Sequence, residues 1–362
     1  MAEMRASHEH AVDSHEQRDF GLEEVKARHE HAVDYHEQKD FELEEVKARG
    51  MMRVEEQRRH MNKTKDVGDG GEKGEEGEEE EVSCSDAMER EMHSWEAFHV
   101  LHSTARFFKE RRYLVRAFPE LMDATTTRRV LEVGCGSGSS CVALLKARDD
   151  LILTAIDYSK TAVSLAEHNV AACGGAQLMQ RFSAHVCDIV RDIPPTPHQR
   201  DRDQWKTQER EKEANNTTTE RVSMMAPTAC VFYDVAMMVF TLSAIPREHA
   251  VAALRHVASV LRPNGGVLVL RDYGQYDMAM LRFKPERCVI PGEVYRRYDG
   301  TLARFMTLEL LEELARATEG DLHFQSGKYI TIRLENRKTK QIMHRVFVEA
   351  RFVRPGVTAD VL

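Results

Sequence analysis

Three glycines at alternate positions, Gly134, Gly136 and Gly138, follow the short apolar run Arg129–Val133 and lead into a stretch of helical character, Ser139–Lys146. Glycine lets the backbone turn sharply and pass close to a ligand, and the amides of the following helix point back at that turn. The alternation then continues. Leu151–Asp157 reads as a buried strand, Ser159 as an N-cap, and the residues to about Ala172 as a helix. Further strands are expected at Ala184–Asp188, Val231–Phe240 and Gly266–Asp272. A helix over Pro246–Leu261 precedes the last of these, and Pro263-Asn264-Gly265-Gly266 turns out of it. Strand and helix in alternation predict a parallel, doubly wound α/β sheet. A helix at Thr307–Thr318 and strands near Tyr329–Leu334 and Arg345–Val353 bring the expected sheet to seven strands, mostly parallel, with helices on both faces.

Ligands of such sheets sit beyond the carboxyl ends of the strands. By itself a G-x-G-x-G turn also suits a nicotinamide dinucleotide domain. Here the third glycine comes one residue earlier than in the dinucleotide fingerprint, and Glu132 stands just before the turn, where it can meet a cationic part of a cofactor. Asp157 ends the second strand about 20 residues on, where a carboxylate can accept from ribose hydroxyls. Asp188 ends the third, placed to accept from an adenine amino group with Ile189 beside the ring, and Val239 near the end of the fourth is grouped with the cofactor-binding residues. Singly, each carboxylate is also compatible with a loop cap. Together they point to a nucleoside site.

The flanks differ in character. Residues 1–94 hold 14 Lys and Arg against 28 Asp and Glu, and residues 95–362 hold 37 against 32, within a net charge of −9. An acidic front is unsuited to nucleic acid, whereas the mildly basic remainder permits it without selecting it. The front contains a tandem repeat: His8–Arg28 recurs as His29–Arg49 with three differences in 21 positions. Good helix formers without proline predict a helix, and the sparse apolar positions a solvated arm or weak coiled coil. His8, His10 and His15 read as a polar face, so no metal site is expected. The organisation is 1–66 as helical repeat extension, 67–91 as acidic Gly/Glu linker, 92–127 as a basic aromatic segment, and 128–355 as the α/β domain with a polar insert at 195–228. The extension is expected to be helical or disordered. Seven scattered cysteines without a C-x-x-C pair suggest reduced thiols in a cytoplasmic or nuclear protein. No run of apolar residues approaches a membrane span.

Specific likeness comes after the fifth strand. Arg271-Asp272-Tyr273-Gly274-Gln275-Tyr276-Asp277-Met278-Ala279-Met280-Leu281-Arg282-Phe283-Lys284 resembles the signature of the tRNA 3-methylcytidine methyltransferases, a branch of the methyltransferase-like, S-adenosylmethionine (SAM)-dependent class I enzymes. Phe107-Phe108-Lys109-Glu110-Arg111, Phe118-Pro119-Glu120-Leu121, Leu131–Gly136, Cys187-Asp188 and Leu242-Ser243-Ala244-Ile245 match as well, so the resemblance spans about residues 92–355. It implies a Rossmann-like class I fold, SAM as cofactor, and methyl transfer to N3 of a cytidine in the tRNA anticodon loop, at position 32. It also implies tRNA as partner, with an aminoacyl-tRNA synthetase or other helper protein open, and neither DNA nor membrane.

Within that resemblance Trp95 joins the cofactor-binding set, and Phe107, Phe108, Lys109, Arg111, Tyr273, Tyr276 and Arg297 form the RNA-binding set, extended by Arg112 and Tyr113. Single-stranded loops are read by stacking on aromatic and Arg side chains. An amphipathic packing helix would also explain the stretch from Phe107. Because cytosine N3 carries a free lone pair at neutral pH, positioning should dominate. Asp272 is the candidate carboxylate beside the base amine, with Arg271 or Arg282 donating to the base carbonyl or a phosphate. A loop-capping Asp272 and packing roles for Tyr273 and Tyr276 are the alternatives. The chain departs from the family at Arg297-Tyr298-Asp299-Gly300-Thr301-Leu302-Ala303-Arg304-Phe305-Met306, where Leu302 replaces an arginine and two aromatics are changed or displaced. A methyltransferase acting on protein or small molecule, or a catalytically silent partner subunit, are the other readings.

Overall fold

The computed structural model describes residues 43–67, 84–102, 110–197, 231–335 and 342–356. The first repeat, most of the second, the acidic run, Phe107, Phe108, Lys109 and most of the polar insert lie outside the described residues. In chain order the elements are α1 (Leu43–Val67), α2 (Cys84–Leu101), α3 (Leu114–Ala117), β1 (Arg129–Val133), α4 (Ser139–Ala147), β2 (Ile152–Asp157), α5 (Lys160–Met179) and β3 (Phe182–Val186). There follow β4 (Val235–Val239), α6 (Arg247–Val260), β5 (Val267–Tyr273), α7 (Met278–Arg282), β6 (Cys288–Ile290), β7 (Val294–Arg296), β8 (Leu302–Arg304), α8 (Leu308–Ala317), β9 (His323–Glu335) and β10 (Ile342–Val353).

Seven strands form one sheet in the order β3-β2-β1-β4-β5-β10-β9. The first five run parallel, and β10 lies antiparallel between β5 and β9. Strand alternation divides the core. Val235, Met237, Val239 and Val269 face one layer with Leu114, Val142 and Ala166, whereas Ala236, Met238, Leu268, Leu270 and Val348 face the other with Leu254, Val257 and Leu311. Each fully buried Leu or Val in these layers contributes about 1.5–3 kcal/mol.

The expected seven-stranded α/β sheet is present, with local differences. β4 starts at Val235 rather than Val231 because Asp234 turns its carboxylate onto the amides of Arg128 (2.9 Å) and Arg129 (3.0 Å). Ser159 caps α5 by accepting from Ala162 N at 2.9 Å, but the helix runs past Ala172 to Met179, kinking at Gly175 (φ 54°). α2 begins inside the stretch read as linker. The small antiparallel sheet β6-β7-β8 was not expected. Nor is α1 solvated on all sides: Val46, Val54 and Gln57 are buried, and Val54 shares a core with Met280, Phe283 and Tyr295.

Candidate cofactor and substrate site

At the carboxyl edge of the sheet, Gly134 and Cys135 donate their amides to Ile156 O (2.8 and 3.0 Å), bending the chain over β2. Gly134 (φ 72°) has no room for a side chain, since a Cβ there would stand 2.4 Å from Thr241 Oγ1, whose hydroxyl donates to Val133 O at 2.8 Å. Gly138 (φ 77°) meets the Ala166 backbone at 3.1 Å in the same sense. Gly136 (φ 52°) faces His99 of α2. Asn169 Nδ2 donates to Ser137 O at 2.9 Å and fastens the turn to α5.

The three predicted carboxylates stand along this edge. Asp157 accepts from Gly136 N and from Ser159 N, both at 2.9 Å, so it shapes the turn as well as bordering it. Glu132 is fully buried. Cys141 Sγ donates to its Oε2 at 2.6 Å, while among the described residues Oε1 has no hydrogen-bond partner. Burial pushes its carboxyl up to about 7, against the pull of the Cys141 thiol and the Arg111 guanidinium. Asp188 accepts from Val190 N at 3.0 Å, and its buried Oδ2, 3.7 Å from Arg191 Nε, has no hydrogen-bond partner among the described residues. Buried, unbonded carboxylate oxygens are costly and call for a donor. Those of Glu132 and Asp188 fit a ligand with an ammonium at one end and an amino-bearing base at the other. Ile189 is buried beside Asp188, and its carbonyl lies 2.9 Å from His256 Nδ1. α2 adjoins the turn. Glu96 accepts from Thr161 Oγ1 at the start of α5, and Trp95 packs its ring edge-on to Phe98 at 5.6 Å and beside His99.

Where β4 and β5 end, Val239 is buried and its carbonyl accepts from Arg111 Nη1 at 3.4 Å, which also donates to Ser140 Oγ at 3.3 Å. The Arg111 guanidinium lies 5.3 Å from the ring centre of Phe240, a residue held at φ 60°. Arg111 thus ties its segment to the cofactor turn, whereas Arg112 is exposed and paired with Glu110 at 2.9 Å, and Tyr113 is buried. Phe240, Tyr273, Phe305 and Phe347 form an aromatic cluster, with Phe240 and Tyr273 centred 4.8 Å apart. Arg297 is buried against Tyr273 (5.9 Å) and donates to Leu302 O.

Asp272 is fully buried and accepts from Ser243 N (2.9 Å) and its neighbour Tyr273 N (2.8 Å). Desolvation lifts its carboxyl to about 6, against the amides and the Arg297 charge. Arg271, one residue earlier, points to the opposite face as strand alternation requires. It pairs with Glu349 and lies over Tyr113 at 4.5 Å. Arg282 ends α7 exposed, and among the described residues no bond joins either arginine to Asp272. Tyr276 (φ 66°) sets its ring against Gly50 of α1. Sequence reading missed Thr241, Ser243 and His99. Ser243 lay within a matched stretch, but nothing marked its amide as the partner of Asp272.

Fold and edge together define a methyltransferase. A family model described as methyltransferase domain matches residues 99–319, and the chain belongs to that family; SAM is its cofactor. Over 304 residues it is 29% identical to the tRNA N(3)-cytidine methyltransferase METTL2 of Xenopus tropicalis, covering 73% of this chain and 78% of that protein. Over 267 residues it is 28% identical to the tRNA N(3)-cytidine methyltransferase METTL6 of Homo sapiens, covering 72% and 80%. It is 32% identical to O-methyltransferase 3 of Dictyostelium discoideum over 234 residues, 64% of this chain but 45% of that protein's length. Among solved structures, magnesium protoporphyrin IX methyltransferase from Synechocystis PCC 6803 with bound SAH matches at 14% identity and a TM-score of 0.39, covering 78% of this chain and 90% of that one.

Proposed function

We propose that this chain methylates N3 of a cytidine in the anticodon loop of tRNA, at position 32 as the family resemblance implies. One observation carries the reading. The Arg271–Lys284 stretch that resembles the 3-methylcytidine signature places its carboxylate, Asp272, on Ser243 N, two residues from the Thr241 that buttresses Gly134. Acceptor and cofactor sites then share one rigid turn.

SAM supplies a methyl group on a sulfonium. Asp157 is suited to hold its ribose, Glu132 its ammonium and Asp188 its adenine amine, each through the remaining acceptor capacity described above. N3 of the base needs no deprotonation, so the protein's task is placement and charge. Asp272, fixed by two amides, would accept from the exocyclic amine, whose positive charge grows as the methyl arrives, and so favours the transition state over the ground state. Phe240, half-buried at the rim of the aromatic cluster beside it, offers a flat surface for a splayed-out base.

Purified protein incubated with labelled SAM and total tRNA, with digestion to nucleosides and mass spectrometry, tests this. 3-Methylcytidine as the labelled product is expected. Label on another nucleoside, or tRNA left unlabelled by a folded protein, would overturn it. The similarity to an O-methyltransferase supports transfer to an oxygen acceptor as the second reading, under which cytidine N3 of tRNA stays unlabelled.

A further inference from the structure

Glu132 and Val130 are alternate residues of β1, so the carboxyl enters the layer that α4 covers rather than solvent. Cys141, in the first turn of α4, donates its thiol to Oε2 at 2.6 Å. The other polar groups around the carboxyl come from separate elements. Arg111 draws it toward ionisation while its guanidinium is bonded to Ser140 Oγ and Val239 O, and Ser140 assists. Asp157, at the end of β2, opposes ionisation, and the buried thiol of Cys135 in the glycine turn lies within reach of the charge.

The two oxygens of Glu132 are therefore unlike. Oε2 is fastened to α4 by the thiol, whereas Oε1 is buried and has no hydrogen-bond partner among the described residues. Burial and the adjacent carboxylate hold the Cys141 thiol well above its ordinary value, so the sulfur keeps its proton and stays a donor at neutral pH. Cys141 is itself fully buried, so water does not take the thiol's place if it is removed. A buried carboxylate that loses a donor takes up a proton more readily than it remains charged. Cys141 lies outside every stretch that carries the family resemblance, and its neighbours Val142, Leu144 and Leu145 give it the look of ordinary core.

We propose that Cys141 is a positioning residue for cofactor binding: its thiol keeps Glu132 ionised and turned so that Oε1 is the oxygen offered to the ammonium of SAM. The inference rests on the assignment of Glu132 to that ammonium and adds to it a residue that never meets the cofactor. It gives α4 a second task at the edge, since the helix that follows the glycine turn also sets the carboxylate that precedes it. A thiol is a weak donor, which suits a role in which one oxygen is oriented while the other keeps its charge for the ligand.

The test is SAM affinity by calorimetry on the full chain across neutral pH, for the parent, C141A, C141S and E132Q, with C141V in place of C141A if the smaller residue does not fold. Loss of one bond from a weak donor to a charged group raises the Glu132 carboxyl by about one pH unit from its value of about 7. C141A is then expected to bind about ninefold more weakly than the parent at about pH 6, about fivefold at about pH 7, and nearly as well at about pH 8.5. The amine of SAM titrates alike against both proteins and cancels in that ratio. C141S restores a donor and should recover most of the loss. A ratio that is the same at every pH, no loss in C141A, or a loss in C141S equal to that in C141A would show the thiol to be packing alone and overturn the inference. E132Q separates the two claims. If it binds SAM with the parent's pH dependence, the assignment of Glu132 to the ammonium fails and the role of Cys141 with it. If it abolishes that dependence while C141A keeps the parent's, only the role of Cys141 fails.

Discussion

At the scale of single residues, the carboxylates of the sheet edge differ in environment, and the differences give separate predictions. Asp157 accepts two backbone amides and faces the cofactor edge. Charge-assisted bonds of this kind are worth about 1.5–3 kcal/mol each. Asp157→Ala should weaken SAM binding on the order of a hundredfold or more while unfolding stays cooperative, and unaltered affinity by calorimetry would contradict the assignment. Glu132 is buried with its carboxyl raised to about 7. If the ionised form holds the ammonium, SAM affinity falls as pH drops through 7. Glu132→Gln should flatten that dependence. The same shift has the opposite sign for stability: a carboxyl that binds its proton more tightly folded than unfolded favours the fold at low pH, and this contribution is lost as pH rises through 7. Asp272, raised to about 6, should give single-turnover methylation that increases with pH through that value. Asp272→Asn is expected to lower the rate by about two orders of magnitude and leave SAM affinity within a few fold. Near-normal turnover by a folded Asp272→Asn protein would leave the residue only its two amide bonds.

At the scale of elements, regular periodicity was readable and polar joints were not. The parallel strands, the Ser159 cap and the glycine turn follow from short apolar runs and turn residues whose meaning is local. β6, β7 and β8 have three residues each, too short for alternation to register. The docking of α1 depends on Gln57 meeting Tyr295, which are 238 positions apart, and a buried glutamine carries no apolar signal. Arg111 looked like a free cation in a basic aromatic stretch, yet it is bound to Ser140 and Val239. The joint of α1 has its own test. A Cβ at Gly50 would stand 2.2 Å from Tyr276 Cδ1, so Gly50→Ala forces the ring or the helix to move. Overpacking of this type costs about 1–3 kcal/mol. The melting temperature should drop by roughly 3–10 °C with SAM affinity unchanged, and an unshifted melting curve would show that the seat is loose.

At the scale of the whole molecule, the acidic front and the catalytic domain are joined through α1, which meets α7, the turn after it and β7. Removing residues 1–81 deletes that helix and uncovers Val54's partners. SAM affinity should survive, while the melting temperature should fall. Cofactor binding lost from a still-folded truncation would mean that the front reaches the cofactor site.

The contact between Gly50 and Tyr276 also bears on how the repeat can vary over generations. Both units end in the same seven residues, but the upstream copy is followed by His29 and the downstream copy by Gly50. A seat that leaves no room for a Cβ accepts only the second junction. Misaligned recombination between two near-identical units can therefore delete or multiply whole units without disturbing the docked helix, because every such product retains one final copy running into Gly50. A change in copy number leaves the docked residues as they are, whereas a substitution at that single glycine disturbs them at once.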